Sequence, residues 1–185
     1  MSLSGMAGSA LGGIFACDCS AQAVELVVSG VDYLADFQGN LKVLLDPNKL
    51  TQFLSGAISL VPLLIQEHVS NGVGAIIGPI TVVKDPNREP PQSTLTSPTP
   101  GQPFPAIQEM VVNIHVTIPN LLPGITLQNK IPTNPGPPIL RNGNVTGFPP
   151  KGDLYNLSEP IDLEDVNNPG PVLATIKTFP VKVGI

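Results

Sequence analysis

The chain has 185 residues, a formal net charge of −5, 22 prolines and 18 glycines, but only two histidines, two cysteines and no tryptophan. Proline lacks a backbone N–H and both Pro and Gly interrupt regular structure, so a helical bundle is excluded and many short strands joined by turns are expected. Nine Lys and Arg scattered singly exclude the basic stripe of a nucleic-acid binder, while 42% hydrophobic residues supply a core and exclude global disorder.

Residues 1–22 contain Gly5, Gly8, Gly12 and Gly13 among Ala and Ser, and four glycines leave poor helix propensity. They read as a Gly/Ala-rich arm ahead of a single β-rich domain over 23–185. The apolar side chains Leu3, Met6, Leu11, Ile14 and Phe15 make the arm a candidate contact with a neighbouring subunit. No Lys or Arg precedes its apolar run, so a secretory leader is not expected. Cys17 and Cys19 are one residue apart, a spacing that would close a strained ring. On a flexible arm they are candidates for an intersubunit disulfide.

From 23 to 45 the pattern is strict alternation. Val24, Leu26 and Val28 lead, Val31, Tyr33, Ala35 and Phe37 follow Gly30, and Leu41, Val43 and Leu45 follow a turn at Gln38-Gly39-Asn40. Period two predicts half-buried antiparallel strands. Residues 49–70 carry a 3.6-residue period through Leu50, Phe53, Leu54, Ala57, Ile58, Val61, Leu64, Ile65 and His68. That predicts one helical segment, capped by Asn48 and kinked at Pro62. A strand over Val73–Val83 comes next. Residues 84–106 hold seven prolines and read as a long loop.

Val112, Ile114, Val116 and Ile118 alternate with Asn113, His115 and Thr117, which predicts a strand with the first set buried and the second more exposed. A short strand is expected within Leu121–Leu127 and an extended stretch over 132–138. Asn142-Gly143 is a hairpin turn signal, strands are expected within Leu154–Leu163, and Asn167-Asn168-Pro169-Gly170 is a turn. In the last strand, Val172 to Ile185, the parity shifts at Phe179-Pro180, the mark of a bulge or an edge. The fold class is therefore mainly β, an antiparallel β-sandwich or jelly roll with one helical segment. No stretch carries a recognisable family motif, and no transmembrane helix is expected.

Catalytic chemistry has few carriers. His68 and His115 each have an ordinary structural reading, no G-x-S-x-G is present, and the chain is not expected to be an enzyme. Asp162, Glu164 and Asp165 match no calcium loop, Cys17 and Cys19 lack two further soft ligands for zinc, and no cofactor is expected. Asn144 and Asn156 open glycosylation sequons. A surface poor in charge, an apolar arm with thiols and few catalytic groups together predict a self-assembling structural subunit. The expected partners are copies of the chain itself, joined extracellularly or at a cell surface into a filament, appendage, coat or capsid by arm exchange or strand addition. The alternative is a monomeric β-sandwich binding or adhesion domain that contacts a ligand or glycan through loops around Asn134–Pro150, or holds a lipid in an apolar cavity under the helix.

Overall fold

A computed structural model describes residues 13–131 and 137–185. Thirteen strands make one antiparallel sheet: β1 (Ile14–Val28), β2 (Val31–Leu45), β3 (Leu60–Gly74), β4 (Gly78–Lys84), β5 (Gln92–Thr96), β6 (Ala106–Val111), β7 (Ile114–Thr117), β8 (Thr126–Asn129), β9 (Ile139–Val145), β10 (Asp153–Leu157), β11 (Ile161–Asp165), β12 (Asn168–Thr178) and β13 (Val181–Val183). One helix, α1 (Pro47–Leu54), joins β2 to β3.

The thirteen segments resolve into a simpler object. β1, β2 and β3 are 15 residues each and run unbroken. β3 pairs through Val69–Gly74 with β4 and through Leu60–Leu64 with β5, so β4 and β5 are two halves of one strand laid along β3. The same holds for β6 with β7, β8 with β9, β10 with β11, and β12 with β13. β1 closes the circuit, pairing with β12 through Glu25–Val28 and with β13 through Cys19–Ala21. The result is an eight-stranded ring in which every strand lies beside its sequence neighbours. Five of its strands are broken at mid-height, and every segment is hydrogen-bonded on both sides. The expected β-sandwich-like, mainly antiparallel fold is borne out, with up-and-down rather than Greek-key connectivity.

Alternation fills the interior. Val24, Leu26, Val28, Phe37, Leu41, Val43, Val116, Leu127, Leu163 and Ile176 are all buried inward-facing residues of the ring. Bulges re-aim strands where the wall bends: Ala23 takes φ 52° at the register shift between Ala21 and Val24. The predicted face Val112, Ile114, Val116 and Ile118 is buried, but Asn113 is buried with it, because it sits in the break between β6 and β7.

The helix over 49–70 is corrected. Only Pro47–Leu54 is helical, and Asp46 rather than Asn48 caps it, its Oδ1 accepting from the Asn48 N–H at 2.8 Å. Gly56 at φ +78° ends the turn, and 60–74 is strand β3. A bulge explains the false period. Lys42 pairs with Glu67 and Val43 with Ile65, so one extra residue stands between them. Ile65 and His68, three apart, both become inward residues, which imitates a helical repeat. Phe53 of α1 is fully buried against Phe104, ring centroids 5.9 Å apart, so the helix closes one end of the ring.

Two further expectations change. The proline-rich passage 84–106 is no single loop: it contains wall strand β5, with Ser93 and Leu95 fully buried. Of the 1–22 arm, residues from Ile14 onward belong to β1, the strand with both the longest pairing and the closing contact. The boundary at 22 thus falls inside a strand. The short strand expected within Leu121–Leu127 begins later, at Thr126.

Gly39 of β2 lies between Cys19 of β1 and Ser70 of β3 in register. A Cβ there would meet the Val69 carbonyl oxygen at 2.1 Å and the Ser70 Cα at 2.7 Å, both backbone atoms. Gly39→Ala is expected to destabilise the fold by about 1–3 kcal/mol, the cost of overpacking a filled interior. Gly143→Ala, with nothing within 4 Å of its Cβ, should stay within about 0.5 kcal/mol. Urea midpoints measure both, and equal midpoints would contradict the packing described.

Candidate functional site

The five strand breaks fall at one level and leave a cavity between them. Val112 and Ile114 flank the β6–β7 break, Leu157 and Ile161 the β10–β11 break, and Ile176 and Phe179 the β12–β13 break. Pro138 and Leu140 enter from the end of the β8–β9 break, and Val82 and His68 from β4 and β3. The space between them measures about 380 Å³ including its open mouth, and only a small part of it is enclosed. Pro138, Leu140 and Leu157 are half-buried and form the mouth; the other lining residues are buried.

His68 is the one polar lining residue. Burial holds its imidazole down to a pKa of about 4, so it is neutral at pH 7. Its Nε2 lies 3.3 Å from the Ser70 hydroxyl oxygen, and that oxygen lies 3.9 Å from the Cys19 Sγ. The missing side chain of Gly39 is what lets Cys19 and Ser70 meet across β2. A Ser–His pair suggests nucleophilic catalysis, but an imidazole held near 4 is a poor general base at neutral pH. No carboxylate orients the ring among the described residues.

A second polar cluster fastens the breaks themselves. Asp85, buried just past β4, pairs with the Arg88 guanidinium, accepts the Asn87 N–H at 2.8 Å and lies 3.2 Å from the His115 Nε2. Burial alone would raise its pKa; the Asn87 amide, Arg88 and His115 outweigh burial and hold the carboxyl below its ordinary value. Arg88 donates to the Asn129 carbonyl at 2.9 Å and to its Oδ1 at 2.7 Å. Asn129 Oδ1 also accepts the Ile114 N–H at 2.8 Å, and its Nδ2 donates to Asn113 Oδ1 at 3.1 Å. These side chains supply partners that the interrupted ladder cannot, which is what buried backbone groups require. The cluster satisfies itself, so it reads as a fastener.

The sequence-predicted positions fall elsewhere. Cys19 is buried and Cys17 half-buried, both on the inward face of β1. Burial, with smaller contributions from Cys19 and Asp18, pushes the Cys17 thiol up to about 12; burial also raises Cys19. Both sit in a paired wall strand rather than on a flexible arm. Phe15 is buried edge-on to Phe148, centroids 4.8 Å apart, and Ile14 is half-buried in the same strand, so both belong to the wall of the ring rather than to a free arm. Leu3, Met6, Leu11 and Asn134 lie outside the described residues. Glu164 accepts from Gln128 and Gly170, Asp162 from Thr175 and Asp165 from Asn167, so the acidic cluster is engaged locally. Asn144 and Asn156 are exposed. The lining residues and Ser70 were missed as a site. Their one visible signal was polar residues, His68 and Ser70, spaced by two next to a run of apolar ones.

No protein-family model matches the chain, and no curated protein matches it. Among solved structures it resembles DynF from the dynemicin biosynthesis pathway of Micromonospora chersina, with a TM-score of 0.74 and 23% identity over 94% of this chain and 80% of that one. The likeness shows a shared fold. It also overturns the expectation of a self-assembling filament subunit, since the neighbour belongs to a biosynthetic pathway. The topology agrees: strand addition needs a free sheet edge, and among the described residues the closed ring offers none. Among the described residues no helix is long and apolar enough to cross a membrane.

Neutral, buried His68 makes a pH prediction. Its folded pKa lies below its unfolded value of 6.5, so its contribution is fully present above pH 6.5 and is lost as pH falls toward 4. Denaturant titrations should show the wild type losing about 3 kcal/mol more than His68→Leu over that interval. Parallel pH profiles for the two proteins would refute the buried, neutral imidazole.

Proposed function

We propose that the chain binds a small, mainly apolar molecule in the cavity at the waist of the ring, without turning it over. One observation carries this reading: nine of the ten lining side chains are hydrocarbon, and the tenth is a neutral imidazole. Pockets for small molecules are typically concave, apolar and supplied with few polar groups. The enclosed part is narrow, so a guest larger than a few atoms enters as Leu140 and Leu157 swing aside at the mouth. The shared fold with DynF, a protein of a biosynthetic pathway, supports a role around small molecules rather than polymers. Binding without turnover is supported by the low basicity of His68 and by thiols whose burial keeps them protonated at neutral pH.

N-phenyl-1-naphthylamine, a neutral apolar dye, tests the reading. Its fluorescence should rise saturably with one site per chain. Leu157→Trp, which fills the mouth from a half-exposed position, should weaken binding by about tenfold or more while leaving thermal unfolding nearly unchanged. A wild type that gives no saturable signal would overturn the proposal.

A further inference from the structure

We propose that Gln108 is the polar anchor of this site and that the ligand carries a neutral carbonyl-type acceptor: a ketone, ester or amide at one end of an apolar body. The inference rests on the cavity reading and extends it inward. Gln108 is fully buried on β6; its Oε1 accepts from the Tyr155 hydroxyl at 2.6 Å, and its Nε2 has no partner among the described residues. A buried amide donor left unpaired is costly and rare, so it marks a place where an acceptor belongs.

Register places that donor one level deeper than the cavity lining, with Met110 between. Gln108 and Met110 are successive inward residues of β6, and Val112, the next along, lines the cavity. Tyr155 stands two residues before Leu157, a mouth residue, on β10. The Gln108–Tyr155 pair therefore lies next to the lining on β10, through Tyr155, and one inward residue away from it on β6. Met110 separates the two levels, and its unbranched side chain adapts to a guest more readily than a branched one.

The interior also selects the ligand's charge. The buried titratable side chains among the described residues are Cys19, His68, Asp85, Tyr155 and Glu164; no Lys or Arg is fully buried, and the half-buried Arg88 is taken up by Asp85 and Asn129. Burial, then Asp153 and Cys17, pushes the Tyr155 phenol upward, so it stays a neutral hydroxyl. A carboxylate would enter without a counter-cation, which is unfavourable in such surroundings. A neutral carbonyl oxygen takes the Gln108 N–H without that cost.

Three probes of one shape test this by competition with the bound dye: 2-ethylnaphthalene, 2-acetylnaphthalene and 2-naphthoate. The ketone should bind about tenfold more tightly than the hydrocarbon, as one hydrogen bond to a buried donor allows, and the carboxylate weakest. Gln108→Met should cut the ketone's advantage to about twofold or less while keeping hydrocarbon affinity. In wild-type protein the Gln108 side-chain amide resonances should shift with the ketone and not with the hydrocarbon, which decides the matter if the variant fails to fold. Equal binding of ketone and hydrocarbon, or a ketone preference that survives in Gln108→Met, would overturn the anchor while leaving the cavity standing. Tighter binding of the naphthoate would overturn the neutral-ligand assignment. Failure of all three probes to displace the dye would overturn the anchor, and failure of the dye itself to bind would remove the cavity reading beneath it.

Discussion

Closure of the sheet by β1 against the last strand is the constraint from which the rest follows. Leu26 pairs with Ile176 and Ala21 with Val181, residues about 150 positions apart, and until those ladders form the inward faces of eight strands have nothing to enclose. Closure also turns a residue pattern of period two into a filled interior, because each inward side chain then meets others across the lumen. The sequence-distant ladder is matched by local ones, β1 with β2 and β2 with β3, which give the ring a long unbroken side.

The other side is broken five times at one height, and the breaks are what make room. A continuous ladder would bring inward side chains into one packed core; parted strands widen the wall at Val112, Leu157 and Phe179 instead. The backbone groups released there need partners. Asp85, Arg88, Asn113 and Asn129 provide them on one flank, and the Val112 N–H turns to the Pro138 carbonyl at 3.4 Å. Cavity and fastener are two consequences of the same interruption. That is why a buried ion pair, an uncertain source of stability by itself, has a place here.

Much of the architecture was legible from residue type and spacing. Alternation through Val24–Leu45 and Val112–Ile118 identifies wall strands, because a half-buried strand has no other way to order its side chains. The 3.6-residue period over 49–70 misled for a local reason: a continuous apolar run fits both periods, and the bulge beside Ile65 put His68 three residues on, as a helix would. β5 escaped notice because Gln92-Ser93-Thr94-Leu95-Thr96 has a single apolar residue, and its burial comes entirely from neighbours distant in the chain. Cys17 and Cys19 read as arm thiols only while β1 was thought to be an arm; the pairing of β1 with β2, β12 and β13 could not be inferred from its glycine-rich lead. The cavity lies beyond local patterns altogether, since its lining comes from six separate segments of the chain. Like His68 and Ser70, Gln108 left a trace, a polar residue at an inward position between Ala106 and Met110.

The broken half of the closed ring leaves an apolar cavity at its waist. Xenon enters such cavities without needing any polar contact, and methyl NMR under xenon pressure reports where it goes. Saturable shifts are expected, concentrated on the methyl groups of Val82, Val112, Ile114, Ile161 and Ile176. Shifts that are linear in pressure and spread over exposed methyls such as those of Leu34 and Ile76, with the waist residues silent, would contradict the cavity.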